Sequence, residues 1–279
     1  MIALIIVTLF LAYSNGANDN FKGVATIYGS KLVSFQKAIS ITTIFTFTGV
    51  VVSAFFAESL VKSFSGKGLV PDSIISQSSF ITAVALGCGL TVIAAAKLGF
   101  PISTTHGLVG ALVGAGFMAV GNEVTLSKLG KTFLLPLLLS PVLSAILSYF
   151  LFLISHKILN SKTNIIDKLH YATAATVCFA RGLNDGPKIA GMILIINFVD
   201  LRISLLLIAI SMCVGGWFNS KKIAETMSQK LTIMSGTEAF NANLITSILV
   251  ISASLFGLPV STTHVSVGSL AGIGFLTKN

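Results

Sequence analysis

Gly99-Phe100-Pro101-Ile102-Ser103-Thr104-Thr105-His106 lies inside a long apolar region, and nearly the same run returns as Gly257-Leu258-Pro259-Val260-Ser261-Thr262-Thr263-His264. A proline followed by three hydroxyl residues and a histidine is a poor middle for a lipid-facing helix, because it removes a backbone donor and sets polar groups where no water can meet them. Each copy therefore marks a break. Ser or Thr at the start of the next helix caps orphan N–H groups. A helix N-terminus inside a membrane also offers partial positive charge and donors to an anion. Two opposed copies would bring Ser103, Thr104, Thr105, Ser261, Thr262 and Thr263 around one oxyanion. Plain capping of a kinked helix explains one copy; it explains less well two copies accompanied by two acidic motifs.

The surrounding composition fixes the solvent. Hydrophobic residues make up 54% of the 279 positions and charged residues 10%, with a mean hydropathy of +0.93, which reads as an integral membrane protein. Apolar runs of helical length, rich in Gly, Ser and Thr for close contact, predict an all-α bundle rather than a barrel of alternating strands. The net charge of +9 comes from Lys and Arg in short connections between apolar segments. That pattern follows the positive-inside rule and argues against a nucleic-acid partner. Cys88, Cys178 and Cys213 lack ligand spacing and read as small packing residues. Met1–Tyr13 has the length of a signal-peptide core but no basic start, and it leads straight into a repeated motif, so it is expected to stay in the mature chain.

In chain order, Met1–Tyr13 is too short to cross a hydrocarbon layer that needs about 20 residues, and a second short apolar piece ends at Ser30. The two are expected to share one crossing around an unwound centre. Ala38–Ala57 is a full span, and Glu58–Ser79 a polar connection placed outside the bilayer. Phe80–Ala96 and Gly107–Val120 form either two thin spans or one re-entrant hairpin. Lys131–Ile154 is a long span without a partner, followed by the polar linker His156–His170. The plan then repeats: Tyr171–Ala180 and Ile189–Val199 flank a second polar motif, Ile203–Phe218 spans, Asn219–Glu238 connects, and Ala239–Leu258 precedes Val265–Leu276. Residues 1–130 are thus a first repeat, 131–169 a linking helix and linker, and 170–279 a second repeat. The odd linking span turns the second repeat upside down, and interrupted segments at matching places in inverted repeats point to a transporter site. The lysine distribution puts the N-terminus outside and the C-terminus inside.

The interrupted segments carry Gly16-Ala17-Asn18-Asp19 and Gly182-Leu183-Asn184-Asp185. A carboxylate among apolar segments costs about 2.5–3.5 kcal/mol on the insertion scale, so Asp19 and Asp185 need partners. Asn18, Asp19, Asn184 and Asp185 make a hard oxygen shell suited to Na⁺, and either Asp could instead carry H⁺. Lys22 and Lys188 stand three residues beyond each Asp. They could form structural ion pairs, snorkel to an interface, or attract an anion. Arg181 stands where the first repeat has Asn15. His106 and His264 suit proton shuttling, substrate contact or packing. An intramembrane hydrolase built on Ser103, His106 and Asp19 lacks a Gly-x-Ser-x-Gly elbow or a metal motif, and duplication of the whole constellation argues against an enzyme.

With these four motifs in this order, the chain resembles the inorganic phosphate transporter (PiT) family over essentially its whole length. The resemblance implies two inverted-topology repeats with broken helices and re-entrant hairpins meeting around a midmembrane phosphate. It implies Asn18, Asp19, Asn184 and Asp185 at the cation and phosphate sites, the Ser-Thr-Thr triplets on phosphate, and no cofactor beyond a coupling Na⁺ or H⁺; Lys22 and Lys188, equivalent in the two repeats, are expected to join them in binding phosphate. It further implies a multi-pass cell-membrane protein in contact with lipid, and a homodimer. The expected activity is import of inorganic phosphate by cation symport with alternating access; a sulfate permease of the same fold and an anion channel are the competing expectations. One departure stands out: many members carry Asn where this chain has Lys22, and a fixed positive charge there could replace one coupling cation. The chain also lacks a large central cytoplasmic domain.

Overall fold

A computed structural model describes residues 2–56, 58–159, 164–194, 200–228 and 234–277. Among the described residues every regular element is a helix, and seven segments are long and apolar enough to cross a membrane. It is an all-α integral membrane protein. In order the helices are α1 (Ile2–Asp19), α2 (Ala25–Gly29), α3 (Phe35–Ser53), α4 (Glu58–Phe64), α5 (Asp72–Ile75), α6 (Ser78–Leu98), α7 (Thr104–Val120), α8 (Leu126–Lys128), α9 (Leu135–Ile158), α10 (Asn164–Leu194), α11 (Leu201–Asn219), α12 (Lys221–Thr226), α13 (Gly236–Leu255) and α14 (Thr262–Thr277).

The two Pro-x-Ser-Thr-Thr segments break the chain by the same local chemistry. Gly99 closes α6 in the left-handed region at φ +81°, its N–H bonding Ala96 O while Phe100 N–H reaches back to Ala95 O. Gly257 does the same after α13 at φ +68°, with Leu258 N–H on Ala253 O. This is the glycine helix stop that a side chain would strain. A proline two residues on forbids resumption, and the next helix starts only where a serine can cap it. Ser103 Oγ accepts from His106 N at 3.2 Å, and Ser261 Oγ from His264 N at 3.2 Å. The results are two helical hairpins, α6–α7 and α13–α14.

Glycines set how the remaining helices cross. A Cβ on Gly16 of α1 would run into the carbonyl of Met212 on α11, and one on Gly182 of α10 into the carbonyl of Thr46 on α3. The reverse contacts match: Gly215 of α11 lies against Tyr13 O, and Gly49 of α3 against Phe179 O. Each motif helix thus packs backbone to backbone on the span that follows the other motif, as small residues permit in a membrane. The motif helices themselves run antiparallel, since Asn15 meets Asp185, Asn20 meets Arg181, and Gly23 meets Cys178. Outside this core, α9 presents Leu135, Leu138, Leu139, Val142 and Ile146 outward and Ser140, Ser144 and Ser148 inward. Its serine side receives Gly268 and Gly272 of α14. That inside-out amphipathy is what a lipid solvent selects.

Two expectations change. The acidic motifs are not unwound centres. Helix α1 continues through Asp19, and only then tightens into a 3₁₀ stretch, Asn20–Val24; α10 runs unbroken through its motif and Pro187. The motif side chains find partners on neighbouring helices, so the backbone has no need to open. After Asp19 the ladder is diverted because Asn20 O accepts from Thr42 Oγ1 and Asn20 Nδ2 donates to Met212 O at 3.0 Å. The expected short piece Ile189–Val199 is helical to Leu194, and residues 195–199 lie outside the described residues. The connection Glu58–Ser79 is not wholly polar either: α4 folds back onto α10 and buries Leu60 and Phe64.

Candidate functional site

Both hairpin breaks and both acidic motifs converge on one buried polar cluster. Ser103 Oγ and Ser261 Oγ lie 2.7 Å apart, so the hairpins meet tip to tip. Behind them His106 and His264 stack with ring centroids 4.3 Å apart, and each Nδ1 contacts its own serine at 2.9 and 3.0 Å. Asp19 accepts from Thr104 Oγ1 at 2.7 Å, from Asn15 Nδ2 at 2.9 Å and from Lys22. Asp185 is held more loosely, with Asn15 Nδ2 at 3.3 Å, Lys188 Nζ at 3.4 Å and Arg181 Nη1 at 3.7 Å. Asn18 donates to Phe100 O at 2.9 Å, and Asn184 to Val260 O and Thr262 Oγ1 at 3.2 Å each, so each motif asparagine ties its helix to the hairpin of its own half.

The lysines repeat one geometry. Lys22 Nζ donates to Asp19, Ile102 O and Thr263 Oγ1. Lys188 Nζ donates to Asp185, Val260 O at 2.7 Å and Thr105 Oγ1 at 2.8 Å. Each ammonium therefore sits among the aspartate of its own motif, the carbonyl that follows the hairpin proline of its own half, and a threonine of the other half. Those carbonyls precede a serine cap and have no helical donor, so side chains supply their donors; Val260 O also accepts from Asn184 and Thr105. Phe64 adds its ring face 5.7 Å from Lys188 Nζ, a cation–π contact.

The site residues expected from sequence all lie in this cluster. Sequence reasoning missed Asn15, Asn20, Phe64 and the full part of Arg181. The last was visible only as a basic residue without a counterpart. Arg181 is buried, 1% exposed, donates to Asn20 Oδ1 and to Thr46 Oγ1 at 3.1 Å, and keeps Nε and Nη1 without a hydrogen-bond partner. It lines a cavity of about 10 Å³ with Asp19, Lys22, Thr262, Thr263 and Ser266. That is room for about one water, so the centre is closed. From the outer face of the α6–α7 hairpin a groove of about 800 Å³, lined by Gly87, Thr91, Gly107, Gly110 and Ala111, ends at His106. Within the cluster Lys22, Lys188 and Arg181 face two carboxylates, an excess of one positive charge. Buried charge of that sign, with hydroxyls and two helix N-termini, suits an oxyanion.

The comparisons with known proteins agree. Residues 15–165 and 159–279 match the model of the phosphate transporter family. A probable low-affinity inorganic phosphate transporter of Rhizobium meliloti is 28% identical over 98% of this chain and 85% of its own length. One of the same description from Bacillus subtilis is 25% identical over 98% and 85%. A solved structure titled the sodium-dependent phosphate transporter superposes with a TM-score of 0.87 at 24% identity, covering 98% of this chain and 89% of that one, and so shares the fold. With the matched model spanning nearly the whole sequence, the chain belongs to the phosphate transporter family, whose members are transporters and not enzymes.

Proposed function

We propose that the protein imports inorganic phosphate across the cell membrane by symport with a cation, Na⁺ or H⁺, alternating access around the cluster at the hairpin tips. The observation that carries this is the closed, net-positive centre built twice over from two hairpin breaks and two acidic motifs. Residues 1–130 and 170–279 act as inverted repeats joined by 131–169. The antiparallel motif helices and the exchanged glycine contacts support that reading. Phosphate is taken by the hydroxyls of Ser103, Thr104, Thr105, Ser261, Thr262 and Thr263 at the N-termini of α7 and α14, with Arg181 supplying its spare guanidinium donors. Asp19 and Asp185, flanked by Asn18 and Asn184, serve the coupling cation and accept the proton of HPO₄²⁻. Bringing that dianion into a negative interior costs about 2.3 kcal/mol per charge per 100 mV, which co-transported cations offset.

Uptake of ³²P-phosphate into proteoliposomes under imposed cation gradients tests this. Saturable, gradient-dependent uptake is expected, with unlabelled sulfate competing poorly because it has no proton to offer the aspartates. Sulfate that outcompetes phosphate would make this a sulfate permease, and gradient-independent, non-saturating flux would make it an anion channel.

A further inference from the structure

The two lysine cages say more than cation coupling. Each consists of one carboxylate, one backbone carbonyl and one threonine hydroxyl, all oxygens, drawn from both halves of the molecule. An oxygen cage at a helix interruption is how a membrane transporter coordinates an alkali cation. Here each is filled. An ammonium has three N–H donors and no more, and at both lysines all three have an oxygen partner. Neither lysine has a donor left for phosphate in this closed state, while Arg181 retains Nε, and its Nη1 is ion-paired with Asp185 at 3.7 Å without a hydrogen bond. The lysines thus behave as cations, and the arginine as the anion's partner.

Burial reinforces the assignment. Lys188 is 1% exposed and Lys22 9%, so neither reaches water in the way a snorkelling lysine does. The three-residue spacing from aspartate to lysine brings each Nζ back onto the carboxylate of its own helix, as i,i+3 geometry allows. A Na⁺ entering either cage would have to displace a covalently attached charge or sit beside it in a centre already positive.

We infer that Lys22 and Lys188 are tethered surrogates for two alkali cations, so that phosphate transport by this chain does not use Na⁺. This rests on the phosphate-symport reading above and narrows its coupling ion. The test compares ³²P-phosphate uptake by proteoliposomes of the full chain, under a fixed pH gradient, in external NaCl and in equimolar choline chloride. Wild type is expected to give the same rate in both. Lys22→Asn, which opens one cage, is expected to lose uptake in choline and regain about tenfold in Na⁺, the scale on which two bound ligands couple. A wild-type rate about tenfold lower in choline would overturn the inference and leave phosphate transport standing. A folded Lys22→Asn protein that Na⁺ fails to restore would also overturn it. No wild-type uptake in either medium would instead overturn the phosphate reading itself. Should Lys22→Asn not fold, the unfolding midpoint of purified wild type in the same two salts decides: no difference supports the surrogate role, and stabilisation by Na⁺ refutes it.

Discussion

Lys22 and Asp19 are both buried and share an ion pair, so their contributions should be strongly coupled. Asp19→Asn leaves the ammonium without its counter-charge, and breaking a buried pair in this way costs about 3–5 kcal/mol. Lys22→Met is milder. The carboxylate keeps Thr104 and Asn15 as donors, while the carbonyl of Ile102 and the hydroxyl of Thr263 lose theirs, for about 2–3 kcal/mol. Independent effects would sum to about 5–8 kcal/mol in the double variant. Coupled effects predict about 2–3 kcal/mol, because the double variant strands the same two acceptors but buries no lone charge. In thermal unfolding of detergent-purified protein, at a few degrees per kcal/mol, Asp19→Asn should fall by about 10 °C or more and the double variant by less than the Asp19→Asn single. A double variant less stable than Asp19→Asn would refute the ion pair as the organiser of this cage.

Other outcomes follow from the packing and the charges. Gly16→Ala and Gly182→Ala each drive a methyl into a carbonyl of the crossing helix, so both should lower the yield of folded protein, whereas Gly110→Ala, which meets open space, should not; size-exclusion profiles compare them. Arg181→Lys keeps a charge beside Asp185 but loses the guanidinium's spare donors, and is expected to raise the phosphate KM about tenfold in uptake assays, an unchanged KM arguing against anion contact. The Glu58–Lys62 pair, 2.7 Å apart, is exposed on both sides. Its hydrogen bond to Lys62 holds the Glu58 carboxyl below the ordinary carboxylate range, so any stability it gives is present at neutral pH and fades as pH falls through that lowered value. Lys62→Gln should leave uptake and the neutral-pH unfolding midpoint unchanged.

How much of this was legible depends on how local the chemistry is. The hairpin breaks were readable because everything that makes them, the left-handed glycine, the proline and the capping serine, lies within eight residues. The full spans that follow each acidic motif, α3 and α11, were readable because a hydrocarbon crossing needs about 20 apolar residues, whereas the short pieces expected at Met1–Tyr13 and Tyr171–Ala180 belong to longer helices. The acidic motifs were read as unwound because polar residues in apolar sequence look unpaired. Their partners lie on other helices, and once Thr104, Asn15 and Arg181 are in place the helix persists. The lysines had three local readings that spacing cannot separate; the deciding acceptors, Thr263 for Lys22 and Thr105 for Lys188, come from the opposite half of the chain. Phe64 was out of reach for another reason, since it sits in a stretch whose glycines, proline and charges read as a solvated connection.

The tip-to-tip meeting of the hairpins decides whether the centre can open. Ser103 and Ser261 hydroxyls touch at 2.7 Å, and the stacked His106 and His264 rings lie directly behind them. In alternating access around a fixed site, these tips must part on at least one side for an ion as large as phosphate to enter a cavity of about 10 Å³. A covalent bridge between them should therefore stop transport while leaving the fold intact. Ser103→Cys/Ser261→Cys supplies one, because side chains in oxygen-to-oxygen contact have Cβ atoms near the separation of about 3.8 Å that a disulfide wants. Wild type treated with the same oxidant controls for Cys88, Cys178 and Cys213. The reduced double variant, with four of the six phosphate hydroxyls left, is expected to transport more slowly than wild type, and that remaining uptake should disappear on oxidation and return with dithiothreitol, the loss tracking the fraction bridged by mass spectrometry. Fully bridged protein that still transports at the reduced rate would mean that the tips stay together throughout the cycle. Phosphate would then have to pass beside the hairpins, for instance along the groove that ends at His106, and the rocking halves would have to pivot at the tips rather than separate there.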